Sequence, residues 1–89
     1  MNDVERVFKI IADVYRRYLR EGVFEDPEGN FEIDVEKTLK ENGIDVGEVF
    51  WDEALFIDFS INNEDYVATL DIDDGTVEIW KKIFEETID

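Results

Sequence analysis

Three runs of alternating apolar and polar residues in the last third of the chain constrain its fold most strongly. They span residues 54–62, 65–73 and 76–82, and a period of two is typical of strands that bury one face. Asp74-Gly75 is a two-residue hairpin signal, because Gly accepts the positive φ that such a turn needs. With a second tight turn at Asn63-Glu64, these runs predict a three-stranded antiparallel meander.

The first twenty residues have the periodicity of an amphipathic helix. Asn2 or Asp3 can cap its start, and Gly22 is a natural stop. We predict a helix over residues 3–20 that packs on one face of the meander. Its apolar face consists of Val4, Val7, Phe8, Ile11, Val14, Tyr15 and Tyr18.

Residues 22–32 are rich in turn formers and predict a loop. The turn is expected around Pro27–Asn30. Phe24 and Phe31 flank that turn, and we expect them to anchor the loop on the core.

A short second helix is expected after this loop. Asp34 has the character of an N-cap, and the helix should end near Asn42, with Gly43 as its left-handed terminator. Residues 45–52 fit either a short turn of helix or a strand. The predicted fold class is therefore α+β: an N-terminal amphipathic helix and a short second helix packed on a three- or four-stranded antiparallel β-meander, in a single domain over residues 1–89.

The predicted registers also place side chains on the outer face of the sheet, the face turned away from the first helix. They pair position 57 with 70 and position 71 with 78. On that basis the outer face carries an aromatic and acidic set, which is the candidate partner-binding site: Phe56, Asp58, Asp71, Glu78 and Trp80. In this register Asp71 lies opposite Glu78, and like charges that face each other across strands are destabilising.

Three interpretations of this set remain open. The segment 22–52 could cover the outer face, in which case Trp80 is core. The face could instead be a binding surface, since Trp is a frequent anchor at interfaces. The third interpretation is that the predicted register is wrong.

The charge is strongly acidic and uneven. Asp plus Glu number 25 against 9 Lys plus Arg, a net charge of −16. Residues 1–20 hold five of the basic groups, whereas residues 21–80 hold two basic and nineteen acidic groups. Direct nucleic-acid binding is disfavoured because phosphate contacts need a basic footprint. The imbalance fits either a solvated acidic surface or a surface shaped for a basic partner.

Composition excludes several chemistries. The chain contains no Cys and no His, which removes thiolate catalysis, disulfides and the commonest metal ligands. Residues 71–75 resemble the start of a calcium loop, but the Gly comes one position early and no Glu stands at position twelve. We therefore expect no enzyme activity, no cofactor and no dedicated metal site.

These features predict a cytoplasmic, non-enzymatic interaction module, such as a small regulator or accessory subunit, that binds a basic protein surface. No signal peptide or membrane-spanning run is apparent. The alternative is an acidic inhibitor of phage or viral counter-defence type that mimics nucleic acid and occupies the groove of a DNA- or RNA-binding protein. The scarcity of thermolabile residues is a thermophile tendency.

Overall fold

A computed structural model describes residues 2–22, 30–84 and 86–88. Its strands form one open antiparallel sheet in the order β1-β2-β3-β4, and two helices pack on it, which confirms the predicted α+β fold class. The expectations for Phe24 and Pro27 lie outside the described residues. The described elements, in chain order, are α1 (Asp3–Glu21), α2 (Asn30–Glu41), β1 (Asp45–Asp52), β2 (Ala54–Ile61), β3 (Glu64–Asp71) and β4 (Thr76–Lys81).

Helix α1 has the predicted boundaries, with one further residue at its end. The Asn2 side chain accepts a hydrogen bond from the Glu5 backbone N–H at 2.8 Å, which satisfies one free donor of the first turn. Gly22 adopts the left-handed conformation with φ 65°, and its N–H donates to the Tyr18 carbonyl at 2.8 Å. Both caps thus use the residues expected from the sequence.

Helix α2 begins earlier than predicted. It starts at Asn30, so Asp34 is not an N-cap. The Asp34 carboxylate instead accepts hydrogen bonds from the Tyr18 hydroxyl and from Arg17 Nη2, which ties α2 to α1. Buried Phe31 lies one helical turn before Val35, so the apolar stripe of α2 extends back through the segment predicted to be loop.

Both helices contribute to a single hydrophobic core on one face of the sheet. Side chains alternate between the two faces along a strand, and Leu55, Ile57 and Phe59 of β2 point toward the helices. Every buried residue in the described ranges is apolar. The core consists of Val7, Ile11, Ala12, Val14, Tyr18, Phe31, Val35, Leu39, Ile44, Leu55, Ile57, Phe59, Ala68 and Leu70.

The ambiguous segment 45–52 is a strand, and it makes the sheet four-stranded. Strand β1 pairs with β2, but the register shifts between Val46 and Val49. An extra residue at such a bulge breaks the alternation of side chains. This break explains why the sequence of β1 did not show the regular pattern of the other three strands.

The predicted register between β2 and β3 is wrong by two residues. Leu55 lies opposite Leu70 and Ile57 opposite Ala68, because the turn is at Asn62-Asn63 instead of Asn63-Glu64. Both asparagines have positive φ, 52° and 67°, the combination that a tight hairpin of this kind needs and that Asn tolerates. Moving a two-residue turn by one position changes the partners by two residues and leaves each side chain on its predicted face.

The register between β3 and β4 is also wrong by two residues. A four-residue loop at 72–75 replaces the predicted two-residue turn, so Asp71 lies opposite Thr76. The Gly75 N–H donates to the Asp71 carbonyl at 2.8 Å, and the Tyr15 hydroxyl donates to the Ile72 carbonyl at 2.8 Å. These bonds draw Ile72 out of the ladder and toward α1.

Candidate functional site

The five predicted candidates share the outer face of the sheet. As expected, Phe56 shares a row with Glu78 and Asp58 shares a row with Trp80, because the two register errors cancel between β2 and β4; only Asp71 lies in a different row. Phe56 faces Thr69, which faces Glu78. In the next row Asp58 faces Val67, which faces Trp80. The face assignment is retained because both registers moved by two residues.

The predicted Asp71–Glu78 pair does not exist. Asp71 lies opposite Thr76, and its carboxylate accepts the Asp73 backbone N–H at 2.9 Å. Glu78 lies opposite Thr69. The destabilising contact between like charges that was expected from the sequence is thus absent at these two residues, and no partner is needed to relieve it.

Apolar side chains instead form a diagonal across all four strands of the outer face. We call Phe50, Phe56, Val67 and Trp80 the aromatic diagonal. Phe50 and Phe56 are stacked, with ring centroids 5.1 Å apart and an interplanar angle of 9°. Val67 and Trp80 lie directly opposite each other on β3 and β4, and diagonal neighbours in a sheet are within reach of aromatic side chains.

The aromatic diagonal is open to solvent at its β4 end. Trp80 is 49% exposed, so it is not a core residue. The described part of the segment 22–52 forms α2 and β1, and the buried residues of α2 (Phe31, Val35, Leu39) belong to the core on the other face. In the described ranges, therefore, no helix covers the outer face.

Carboxylates flank the aromatic diagonal, and they differ in how they are engaged. Asp58 forms an ion pair with Lys82, with 3.2 Å between Oδ1 and Nζ. Glu78, two residues from Trp80, is exposed and forms no ion pair with any described residue. A cation that approaches Trp80 would therefore meet Glu78 without displacing a lysine, whereas at Asp58 it would compete with Lys82.

One end of the outer face contains an acidic groove of about 310 Å³. Its carboxylates come from Asp45, Glu48, Asp58 and Asp65, and Lys82 is its one basic lining residue. The Ser60 hydroxyl donates to Asp65 at 2.7 Å. A guanidinium or ammonium group is the ligand that such a lining favours.

Resolved pKa shifts lie outside the candidate set. Lys81 Nζ donates to the Glu64 carboxylate at 3.0 Å, and this bond lowers the pKa of Glu64 and raises that of Lys81. Partial burial, followed by the hydrogen bond to Glu64, raises the pKa of Tyr66. The Thr76 backbone N–H donates to Asp74 at 2.8 Å and lowers the pKa of that carboxyl group.

Sequence reasoning missed Phe50, Glu48 and Asp65 as members of this surface. Phe50 and Glu48 lie on β1, whose bulge hides its alternation. The approach of Asp65 to Ser60 depends on the corrected register. Two aromatic residues in succession at 50–51 were the signal that could have marked β1 as a strand.

Two further features bear on the possible chemistry. In the described ranges, no three Asp or Glu side chains converge closely enough to hold a metal ion. Neither described helix combines the length and the apolar composition that crossing a membrane requires.

Comparison with protein-family models, curated proteins and solved structures gives no significant match for this chain.

Proposed function

We propose that this protein is a non-enzymatic interaction module that acts in the cytoplasm and binds a basic protein surface through the outer face of its sheet. The observation that carries the proposal is the aromatic diagonal, a row of large apolar side chains that is partly buried at Phe50, Phe56 and Val67, exposed at Trp80, and flanked by carboxylates. Exposed apolar patches rimmed by polar groups are characteristic of interaction sites.

The chemistry of the partner follows from the two parts of this surface. Trp80 and Phe56 supply apolar area, which carboxylates alone cannot bury. Glu78, Asp71 and the acidic groove supply acceptors for arginine or lysine, and arginine can bind a carboxylate with two parallel hydrogen bonds. The expected partner is thus a segment that combines cationic and apolar side chains.

The first test is a binding assay with variants of each part. The chain is immobilised and exposed to a lysate of its source organism, and bound proteins are compared among variants. We expect Trp80→Ala to lose the partner, and the combined variant Asp58→Asn, Asp71→Asn, Glu78→Gln to lose it as well. If both variants fold and bind like the parent, the outer face is not the site.

A matched control separates local recognition from total charge. The triple variant Asp13→Asn, Glu21→Gln, Glu41→Gln removes the same number of charges from exposed positions on α1 and α2. This control should retain the partner. If it loses the partner to the same extent as the outer-face variant, binding follows net charge and the proposed surface is wrong.

A second candidate function is mimicry of nucleic acid, and the acidic groove favours it. Four carboxylates line that groove and could stand in for phosphates on a DNA- or RNA-binding protein. The two candidates differ in one observation: a mimic is displaced from its partner by added DNA or RNA, whereas an adaptor that uses another surface of the partner is not.

A further inference from the structure

The two edges of the sheet differ in how they are protected against pairing with another strand. Strand β1 carries a bulge and three acidic residues, Asp45, Glu48 and Asp52. Bulges and charges are devices that block pairing at an edge. Strand β4 has a regular register with β3 and two charged residues of opposite sign, Glu78 and Lys81, which can form complementary pairs across an added strand. Of the two edges of the sheet in the described residues, the β4 edge is therefore the better suited to receive a further strand.

The hydrogen bonds of β4 determine which of its groups face outward. The Lys82 N–H donates to the Asp65 carbonyl at 2.7 Å. Because backbone groups alternate in direction along an antiparallel strand, even-numbered residues of β4 bond to β3. The N–H and C=O groups of Val77, Ile79 and Lys81 then point to the open edge.

Apolar surface is concentrated beside this edge. Ile83 and Phe84, which directly follow β4, are 92% and 82% exposed. A groove of about 260 Å³ lies next to it, lined by Phe8 and Leu19 of α1 and by Val77 of β4. A strand added at β4 would cover part of this area with side chains and would satisfy the open backbone groups.

We propose that the occupant is a second copy of this chain, paired antiparallel along β4 around a two-fold axis at Trp80. In this register Glu78 lies opposite Lys82 of the second copy, and Val77 opposite Ile83 of the second copy. The first pair joins opposite charges on the outer face, and the second places an apolar side chain beside the groove. Trp80 lies opposite Trp80 of the second copy.

Neighbouring registers lack these pairs. Paired residues must have their side chains on the same face of the combined sheet. The nearest alternative registers are therefore those in which one strand is shifted by two positions relative to the other. One of them sets Lys81 opposite Lys81 of the second copy, a like-charge contact. The other places Glu78 opposite Trp80, so that Lys82 keeps its intrachain partner Asp58 but gains no carboxylate from the second copy. Charge complementarity thus selects the register centred on Trp80.

The charge distribution also selects this side of the molecule. Each chain carries −16, so two copies can approach only where acidic groups are sparse. This side has Lys81 and Lys82 at the strand and Arg16 in the adjacent groove, each paired with a carboxylate of its own chain, alongside Glu78 and Asp74. Strand β1, in contrast, has three acidic residues and no basic one. Because net repulsion remains, added salt should strengthen the dimer, whereas it should weaken binding of a basic partner. The dimer therefore does not depend on the proposed function, and the opposite effects of salt on dimerisation and on partner binding distinguish the two.

Sedimentation velocity from micromolar to millimolar concentration tests the dimer. The parent should shift from monomer to dimer as concentration rises, and at lower concentration in higher salt. Ile83→Lys should weaken the dimer at least about tenfold, through loss of apolar burial. Ile88→Lys is the matched control, since Ile88 is 96% exposed but lies beyond the paired segment, and it should dimerise like the parent. A parent that stays monomeric to millimolar concentration overturns the proposal, as does equal behaviour of the two variants.

Disulfide trapping tests the register. The chain has no cysteine, so Trp80→Cys introduces a single thiol on the two-fold axis. Directly opposite residues that share no ladder hydrogen bonds have Cα atoms about 4.5 Å apart, within disulfide range. Glu78→Cys is the control, because the two introduced thiols would be offset by four residues, about 14 Å along the strand. Rapid cross-linking of the Trp80→Cys variant alone supports the register. Cross-linking of the Glu78→Cys variant at the same rate, or of neither variant, contradicts it.

Discussion

The two faces of the sheet are built from neighbouring residues, yet they differ in composition and exposure. In strand β2, Leu55, Ile57 and Phe59 are at most 2% exposed, while the intervening Phe56 and Asp58 are only partly buried. The inner face is entirely apolar among the described buried residues and is covered by two helices. The outer face mixes aromatics with carboxylates and no described helix covers it. One face therefore holds the fold together, whereas the described helices leave the other open to solvent.

The largest expected effect concerns the inner face. Ile57→Ala should lower the free energy of unfolding by about 2–5 kcal/mol, because Ile57 is fully buried and its truncation leaves a cavity. Chemical denaturation measures this loss. Asp58→Ala, at the next position on the opposite face, should cost less than about 1 kcal/mol. Equal losses at the two positions would break the distinction between the faces.

A smaller effect is expected at Trp80 despite its size. Trp80→Ala should lower the free energy of unfolding by about 1 kcal/mol, because half of the side chain is already exposed. Thermal unfolding followed by circular dichroism checks this. A loss as large as that of Ile57→Ala would mean that Trp80 is held in a covered layer, and the outer face would not be a free surface.

Salt should stabilise the monomer modestly. A net charge of −16 on 89 residues implies repulsion in the compact state, and physiological salt shortens its reach to about 8 Å. The melting temperature, measured at a concentration low enough to keep the chain monomeric, should rise by a few degrees. The melting temperature of the double variant Asp71→Asn, Glu78→Gln should rise less with salt, because two of the repelling charges have been removed. A melting temperature independent of salt would show that the charges are already spaced or paired.

The smallest effect concerns Asp74, in the loop at 72–75 that determines which residues of β3 and β4 lie opposite each other. The Thr76 N–H lowers the pKa of Asp74, so the ionised carboxylate stabilises the folded state at pH above its ordinary pKa. This contribution is lost as pH falls through the lowered pKa, since the unfolded chain binds the proton more readily. The stability difference between the parent and Asp74→Ala should therefore be present near neutral pH and vanish in acid. A difference that does not change with pH would contradict this role.

The faces of the strands could be predicted from the sequence, whereas the pairing of residues between strands could not. Alternation predicted the face of each side chain in β2, β3 and β4, because a strand's period survives any register error of two residues. It could not predict which residues lie opposite each other. Those pairs depend on whether Asn62 or Asn63 begins a turn, and on the Tyr15 hydroxyl that holds Ile72 in the longer loop.

The remaining errors arose where tertiary contacts override local signals. Asp34 is a residue type that often caps a helix, but its carboxylate is bound by Arg17 and Tyr18 of α1. Helix α2 therefore begins before Asp34, at Asn30. The bulge in β1 removed the alternation that would have revealed Phe50. As a result, Phe56 and Trp80 of the aromatic diagonal were predicted from the sequence, whereas Phe50 was found only in the structure.

An NMR titration with two short peptides tests most directly whether the outer face is a specific docking surface. One peptide alternates arginine with leucine, and the other alternates arginine with glycine at equal charge. The leucine peptide should bind more tightly and perturb Val67, Glu78 and the Trp80 indole more than exposed carboxylates elsewhere, such as Glu41. Equal affinities, with perturbations spread over all acidic residues, would show that the outer face is a solvated acidic surface without specific recognition.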